Sequence, residues 1–307
     1  MRYRPFLPGF QCSEISLGTL WLSGGYGPFD IDESIRAIRV AVDLGINLID
    51  TADIYGRGLA EELIGKALPP SSDVWVVTKV GRDWYRGNNE KNWDPQYLSF
   101  AVQNSLRRLR RPAIDICLLH NPDLETIQRG ETFDAIEDLR RKGDVRHWGV
   151  SITTAEEGIA ASTCQGLKVV QFYANIVEPE LLNTLLPFLD SSRVGIMVRM
   201  PLGGGLLMGK YTVDHQFEED DYRRLRGKMW RRKMIQFSHR QLGGKCVRHR
   251  LHLALKYVLA NTNVCTVVCG MRSPQQVAEN VSALYTEKPF LARTSKGSGE
   301  TNQWEHL

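Results

Sequence analysis

The 307-residue sequence holds no stretch of about 18 apolar residues, so no helix is expected to span a membrane. Its start, Met1-Arg2-Tyr3-Arg4-Pro5, has no long apolar run behind it and no small-residue cleavage pattern, so no secretory signal is expected. None of the six cysteines forms a Cys-x-x-Cys pair, which argues against a disulfide-stapled scaffold. Cys117, Cys265 and Cys269 lie in apolar runs and read as reduced, buried thiols of a cytoplasmic protein. Cys246, His249 and His252 come nearest to a metal site. They match no zinc spacing, lack a fourth ligand and sit among positive charges that oppose a cation, so no metal is expected. With 42% hydrophobic and 24% charged residues, disorder and fibrous repeats are excluded, and the length fits one large α/β domain or two average ones.

Acidic residues are missing from one long segment. Tyr222 to Arg250 carries 11 of the chain's 39 Lys and Arg and none of its 35 Asp and Glu. The net charge of +4 therefore hides a mildly acidic body joined to one basic stretch. Two uses are open to that stretch: a nucleic-acid or other anion site, or an accessory to chemistry elsewhere.

Short β-branched runs alternate with amphipathic ones. Ile15–Thr19 precedes a helical period over Asp32–Leu44, which Asp32 can cap and Gly45 can end. Strand-like Asn47–Asp50 precedes helical Leu59–Leu68, which Pro69-Pro70 stops. The pattern continues with Val74–Lys79 and Gln96–Leu109, Ile114–His120 and Phe133–Arg141, then His147–Ser151 and Ala155–Ala161. Val169–Tyr173 precedes Pro179–Leu189. Val194–Arg199 leads into the irregular basic region and a helix over Leu251–Ala260. Val264–Cys269 precedes a helix from Ser273 through Asn280. Eight such units predict an α/β fold, a single-domain (β/α)8 TIM barrel, in which the strands read as buried on both faces. The rival, a doubly wound sheet, would bring a Gly-x-Gly-x-x-Gly turn after an early strand, and none is present. The barrel is expected over residues 1–290, with a long basic loop region at 200–250 after the seventh strand and a flexible tail over 291–307.

Active sites of such barrels lie where the strands end. Asp50, Lys79, His120, Ser151, Gln171 and Arg199 fall at those ends, with Tyr55 in the loop after Asp50. A charged or polar group at each strand end is hard to read as core packing. Lys79 beside the Tyr55 phenol is expected to lower its pKa, Asp50 to hold Lys79, and His120 to donate to a carbonyl oxygen. Such a set suits hydride addition to a carbonyl. No side chain supplies hydride, so a nicotinamide cofactor is implied. Gly270-Met271-Arg272-Ser273-Pro274 gathers amides, an Arg and a helix N-terminus into an anion site for its phosphates.

These residues stand in recognisable motifs. Asn47-Leu48-Ile49-Asp50-Thr51-Ala52-Asp53-Ile54-Tyr55-Gly56, Thr78-Lys79, Leu118-Leu119-His120, Gly149-Val150-Ser151, Pro201-Leu202-Gly203-Gly204-Gly205 and the run from Gly270 to Glu279-Asn280 occur in order. In these motifs, from about Ile15 to Ala283, the chain resembles the aldo-keto reductase family, in its bacterial-type branch acting on sugars, aldehydes and ketones. The resemblance implies an NAD(P)H-dependent carbonyl reductase whose catalytic tetrad falls on Asp50, Tyr55, Lys79 and His120, with Tyr55 as general acid. A His rather than Glu at the fourth position speaks against reduction of steroid double bonds. It also implies a cofactor site formed by Gly18, Thr19, Leu20, Asp50, Ser151, Gln171, Arg199, Pro201, Leu202, Gly204, Gly270, Arg272, Ser273, Gln276, Glu279 and Asn280. The family's Ser-Asn pair becomes Ser151-Ile152 here, and Arg199 replaces the aromatic residue that stacks on nicotinamide. With Arg272 available to a 2′-phosphate, NADPH is expected, NADH remaining possible.

Substrate walls are expected from Trp21, Tyr55, Trp84, Trp93, His120 and Asn121, with Tyr85 nearby. The expected partner is a small carbonyl compound, a keto-sugar or nucleotide-linked sugar among the candidates, and an anionic one if the basic segment borders the pocket. The alternative is a non-catalytic anion- or nucleic-acid-binding barrel using residues 222–250. Trp230, Phe237 and Tyr222 make a thin stacking platform, so nucleic acid is not the expected partner. No oligomeric state is implied.

Overall fold

In the computed structural model, residues 1–285 are described, apart from Asn88 and Asp220. The expected boundary at 290 and the tail beyond it lie outside the described residues.

The chain opens with a feature that the sequence pattern did not signal. A hairpin of β1 (Tyr3–Leu7) and β2 (Phe10–Ser13) turns through Gly9 and covers the end at which the barrel strands begin. Phe6 packs against Gly195, where any Cβ would lie 2.4 Å from the ring. The Arg4 guanidinium pairs with Glu14 and donates to the carbonyls of Leu259 and Val264, at 2.7 and 2.8 Å.

The barrel units follow in chain order. They are β3 (Ile15–Gly18) with α1 (Ile31–Asp43), β4 (Leu48–Asp50) with α2 (Leu59–Ala67), and β5 (Trp75–Val80). After β5 a small antiparallel ribbon intervenes, β6 (Arg82–Asp83) and β7 (Glu90–Lys91), before α3 (Pro95–Leu109). Then come β8 (Ile114–His120) with α4 (Leu124–Arg129) and α5 (Glu131–Lys142), β9 (Val145–Ser151) with α6 (Ala155–Ser162), and β10 (Val169–Tyr173) with α7 (Glu180–Leu185). β11 (Gly195–Arg199) leads to α8 (Tyr222–Leu225), α9 (Lys228–Gln241) and α10 (Val247–Leu259). Last are β12 (Thr266–Gly270) and α11 (Pro274–Ala283).

The strands close in the order β3-β4-β5-β8-β9-β10-β11-β12, with β12 pairing back to β3, and all eight barrel pairings are parallel. The chain is thus a single-domain (β/α)8 TIM barrel. The strand residues are almost wholly buried, as the apolar runs require of a sheet covered on both faces. Local chemistry sets the helix starts. Asp30, rather than the expected Asp32, caps α1 by accepting from the Glu33 amide at 2.6 Å, because the helix begins one residue earlier. Thr154 and Glu157 form a reciprocal capping box at α6. Ser273 caps α11.

The basic region is more regular than expected. α9 runs through its middle, with Met234, Ile235 and Ser238 buried and Trp230 and Phe237 packed against the core. Its apolar stripe is narrow among so many cations, which masks the helical period. Among the described residues no helix is long and apolar enough to cross a membrane, and no cluster of three metal-ligating side chains occurs.

Candidate active site

A cavity of about 470 Å³ opens where the barrel strands end. Asp50 closes β4 and Lys79 lies one residue from the end of β5, a neighbouring strand, so parallel pairing brings the two side chains together over the barrel core. Both are buried. The Lys79 ammonium lies 2.8 Å from each Asp50 oxygen and 2.8 Å from the Thr51 carbonyl. Gln171, reaching inward from β10, donates its amide to Asp50 Oδ1 at 2.6 Å.

Tyr55 sits in the turn after β4, with its ring centroid 5.2 Å from the Lys79 ammonium and 6.2 Å from the His120 ring. All three Lys79 N–H donors are spent on Asp50 and Thr51. The expectation that Lys79 lowers the Tyr55 pKa is therefore corrected. Burial pushes the phenol well above its ordinary value, Asp50 pushes it further, and the cation that opposes them is Arg199. Tyr55 is held as a protonated phenol, and among the described residues its hydroxyl makes no hydrogen bond. His120 is pushed well below its ordinary value, first by burial and then by Lys79, Arg82 and Arg199. The ring is neutral near pH 7, and its Nδ1 is buried without a partner among the described residues. The arrangement presents a neutral phenol and a neutral imidazole to one cavity, a proton donor and a hydrogen-bond donor for an oxygen that gains charge.

The cofactor-side residues named from sequence divide in two. Gly18, Thr19, Leu20, Asp50, Ser151, Arg199, Pro201, Leu202, Gly204 and Gly270 line the cavity, with Gln171 just beneath through its bond to Asp50. Arg272, Ser273, Gln276, Glu279 and Asn280 lie beyond its rim, at the start of and along α11. Two features fit a nicotinamide dinucleotide. The Gln171 Oε1 is buried without a partner among the described residues, close to Ser151 of the paired strand β9, and would meet a carboxamide. Gly203, Gly204 and Gly205 all adopt positive φ, and a Cβ at Gly270 would come 1.9 Å from Trp21, so the backbone lies bare at these turns.

The substrate-side expectations fare unevenly. Trp21, Tyr55, His120 and Asn121 line the cavity. Trp21 stacks flat on Tyr26 at 3.5 Å between centroids. Trp84 and Trp93 are not brought to it. Trp84 stacks on Tyr85 against Arg108, outside the lining. Trp93 fills the space over Gly81, whose φ of +109° and missing Cβ admit the indole at a point where a Cβ would be 2.0 Å away. Trp93 thus supports the loop after β5 rather than forming a wall.

Sequence reading missed Tyr26, Arg82 and Asn89, and named Tyr222 and Arg226 only as part of the basic segment, yet all five line the cavity. Arg82 had a signal, since it lies three residues beyond Lys79 in Lys79-Val80-Gly81-Arg82, just past a strand end. The basic segment contributes only Tyr222, Leu225 and Arg226 to the lining. Several of its other cations are used elsewhere. Arg223 is buried against Asp221, with its guanidinium 4.4 to 5.2 Å from the ring centroids of Phe217, Tyr211, Trp21 and Tyr26. Arg231 donates to the Arg223 and Arg224 carbonyls, and Arg250 to Ser238 and the Lys245 carbonyl. Trp230 is turned inward onto Glu178 at 2.9 Å, so no platform for stacking bases forms.

Fold and strand-end cavity together define a (β/α)8 barrel enzyme. The aldo/keto reductase family model matches residues 14–290, and the chain belongs to that family, whose members are NAD(P)H-dependent oxidoreductases. It is 32% identical over 283 residues to aldo-keto reductase YhdN of Bacillus subtilis, covering 88% of this chain and 84% of that protein. It is 30% identical over 296 residues to the NADH-specific methylglyoxal reductase of Escherichia coli, covering 89% and 90%. Among solved structures it is similar to the glycerol dehydrogenase AKR11B4 from Gluconobacter oxydans, with a TM-score of 0.74, 30% identity and coverage of 92% and 89%.

Proposed function

We propose that the protein reduces an aldehyde or ketone, with Tyr55 donating the proton and His120 orienting the carbonyl. The observation that carries this reading is the pair of neutral donors, the Tyr55 phenol and the His120 imidazole, facing one cavity beside a Lys79 fully engaged with Asp50. When bound, the dihydronicotinamide supplies the hydride. Ser151 and Gln171 would hold its carboxamide and Arg199 would lie against the ring, where a planar guanidinium can stack. Gly270 and the start of α11 would receive the phosphates. Exposed Arg272 suits a 2′-phosphate, so NADPH is the favoured partner and NADH the second.

In this scheme Lys79 and Asp50 position rather than donate. Asp50 keeps Lys79 charged, and the cation stands under the face of the Tyr55 ring. The phenol keeps its proton until the carbonyl oxygen gains charge. A sugar-derived carbonyl compound is the substrate class in view, and the aromatic pair Trp21 and Tyr26 suits a ring face. The nucleic-acid alternative gains no support, because the basic segment turns its aromatics inward.

The test is loss of NADPH absorbance with a panel of aldehydes, ketones and sugars, paired with a tryptophan-fluorescence titration by NADPH and NADH. Turnover of at least one carbonyl compound is expected. Cofactor binding without turnover of any would overturn the reading.

A further inference from the structure

Four cationic side chains line the cavity: Lys79, Arg82, Arg199 and Arg226. Among the described residues its only carboxylate is Asp50, and that is committed to Lys79. Two of the three arginines have other ties. Arg199 donates to the Ile152 carbonyl at 3.4 Å and lies over the Tyr173 ring. Arg226 lies between the Tyr173 and Trp230 rings, 5.0 Å from each centroid. Among the described residues, the Arg82 guanidinium has no hydrogen bond, no ion pair and no ring beneath it.

The backbone carrying Arg82 is firmly held all the same. The Tyr97 hydroxyl donates to its carbonyl at 2.7 Å, β6 pairs it with Lys91, and Trp93 fills the space over Gly81 before it. Its neighbour Asp83 does not neutralise it, since that carboxylate turns to Asn92 and Arg86. A fixed backbone presenting an unpaired, half-buried guanidinium into a cavity is preorganised for an oxyanion.

Cofactor phosphates would not meet this demand. Arg82 follows β5, while the glycine turn Gly203–Gly205 follows β11, four strands away on the far side of the eight-stranded ring, and α11 lies beyond β12. Arg82 instead adjoins β8, the strand that ends in His120. Resting on the reductase reading above, we propose that Arg82 anchors an oxyanion of the substrate, so that the preferred carbonyl compounds carry a carboxylate or a phosphate. This moves the clue to an anionic substrate from the basic segment to one residue after β5.

Matched pairs test it: succinic semialdehyde against butanal for the carboxylate, and glyceraldehyde 3-phosphate against glyceraldehyde for the phosphate. In the wild-type protein, the charged member of at least one pair is expected to have a KM lower by roughly tenfold, the scale of a charge-assisted hydrogen bond. Which pair separates distinguishes carboxylate from phosphate. Arg82→Gln is expected to bring the two members of that pair together, a ratio that a merely structural defect would not move, and Arg82→Lys to restore part of the gap. Equal KM values within both pairs in the wild-type protein overturn the proposal. So does a wild-type gap that survives in Arg82→Gln, or a loss in the NADPH Kd as large as the loss for the charged substrate. Turnover of neutral carbonyls without that gap leaves the reductase reading standing and removes only the anchor.

Discussion

Two cationic regions meet at the mouth of this barrel, and they spend their charge differently. Residues 222–250 hold 11 Lys and Arg, yet of these only Arg226 lines the cavity. Arg223 serves a buried ion pair and four aromatic rings, Arg231 and Arg250 satisfy backbone carbonyls, and Lys233 meets Glu178. The strand ends hold three cations, Lys79, Arg82 and Arg199, and all three line the cavity. Charge density along a sequence thus says little about the field at a site. What counts is which cations the fold leaves without a partner, because a paired guanidinium has little left to offer a ligand.

The contrast is broken most sharply if chemistry does not follow the strand ends. Tyr55→Phe is expected to lower carbonyl reduction by about 10²- to 10⁴-fold while leaving the thermal midpoint and the NADPH titration near wild type. The change removes only a hydroxyl that makes no hydrogen bond among the described residues. An unaltered kcat would remove Tyr55 from the mechanism. The segment should behave in the opposite way. Arg223→Ala leaves the Asp221 carboxylate, itself 3% exposed, without its guanidinium partner and empties the space that guanidinium fills beside Tyr26, Tyr211 and Phe217. A loss of roughly 3–5 kcal/mol in urea unfolding is expected, as when one partner of a buried pair is removed. The fastening of this segment across the mouth, where the Tyr222 amide donates to the Gly25 carbonyl at 2.9 Å, should loosen with it. A variant as stable as wild type would mean that the aromatic cage holds nothing.

A smaller effect concerns pH. His120 is held neutral, its folded pKa depressed below the ordinary 6.5 by burial and by neighbouring cations. The rate of reduction at saturating substrate should therefore show no step near pH 6.5, and Tyr55, whose pKa is raised, keeps its proton throughout the neutral range. Stability should respond instead. Below pH 6.5 the unfolded chain binds a proton at this residue that the folded chain refuses, so the stabilisation present above 6.5 declines as pH falls. His120→Gln should reduce that decline, read from urea midpoints at pH 5 and pH 8. A decline of the same size in the variant would assign it to other groups.

Much of this was legible in the sequence. The eight barrel strands could be placed within about two residues, because buried parallel strands leave continuous apolar runs that turns interrupt. Asp50, Lys79 and His120 were legible as polar residues ending such runs. What stayed hidden depends on contacts between distant segments. The opening hairpin is held by Arg4 reaching carbonyls more than 250 residues away, which no local pattern announces. Trp84 and Trp93 looked like walls, since an aromatic in a loop carries no sign of which way it turns. Only the missing Cβ of Gly81 shows where Trp93 goes. The state of Tyr55 was misjudged because proximity to Lys79 was legible, whereas the use of every Lys79 donor on Asp50 and Thr51 was not.

The smallest expected effect is also the one that most sharpens the contrast between the two regions. Arg232 and Arg240 lie on the outer face of α9, beside a separate groove with Met229 and Phe237, and neither makes an ion pair among the described residues. By charge alone they should attract an anionic substrate as strongly as Arg82 does. By geometry they line that groove and not the cavity at the strand ends, and at about 0.15 M salt charges separated through solvent by more than about 8 Å are largely screened. The double variant Arg232→Gln, Arg240→Gln should therefore leave kcat and KM for charged and neutral carbonyls within about twofold of wild type at physiological salt. Any KM increase should be confined to low ionic strength, where screening is weak. A selective loss for the charged substrate that persists at 0.15 M salt would return the basic segment to the substrate site.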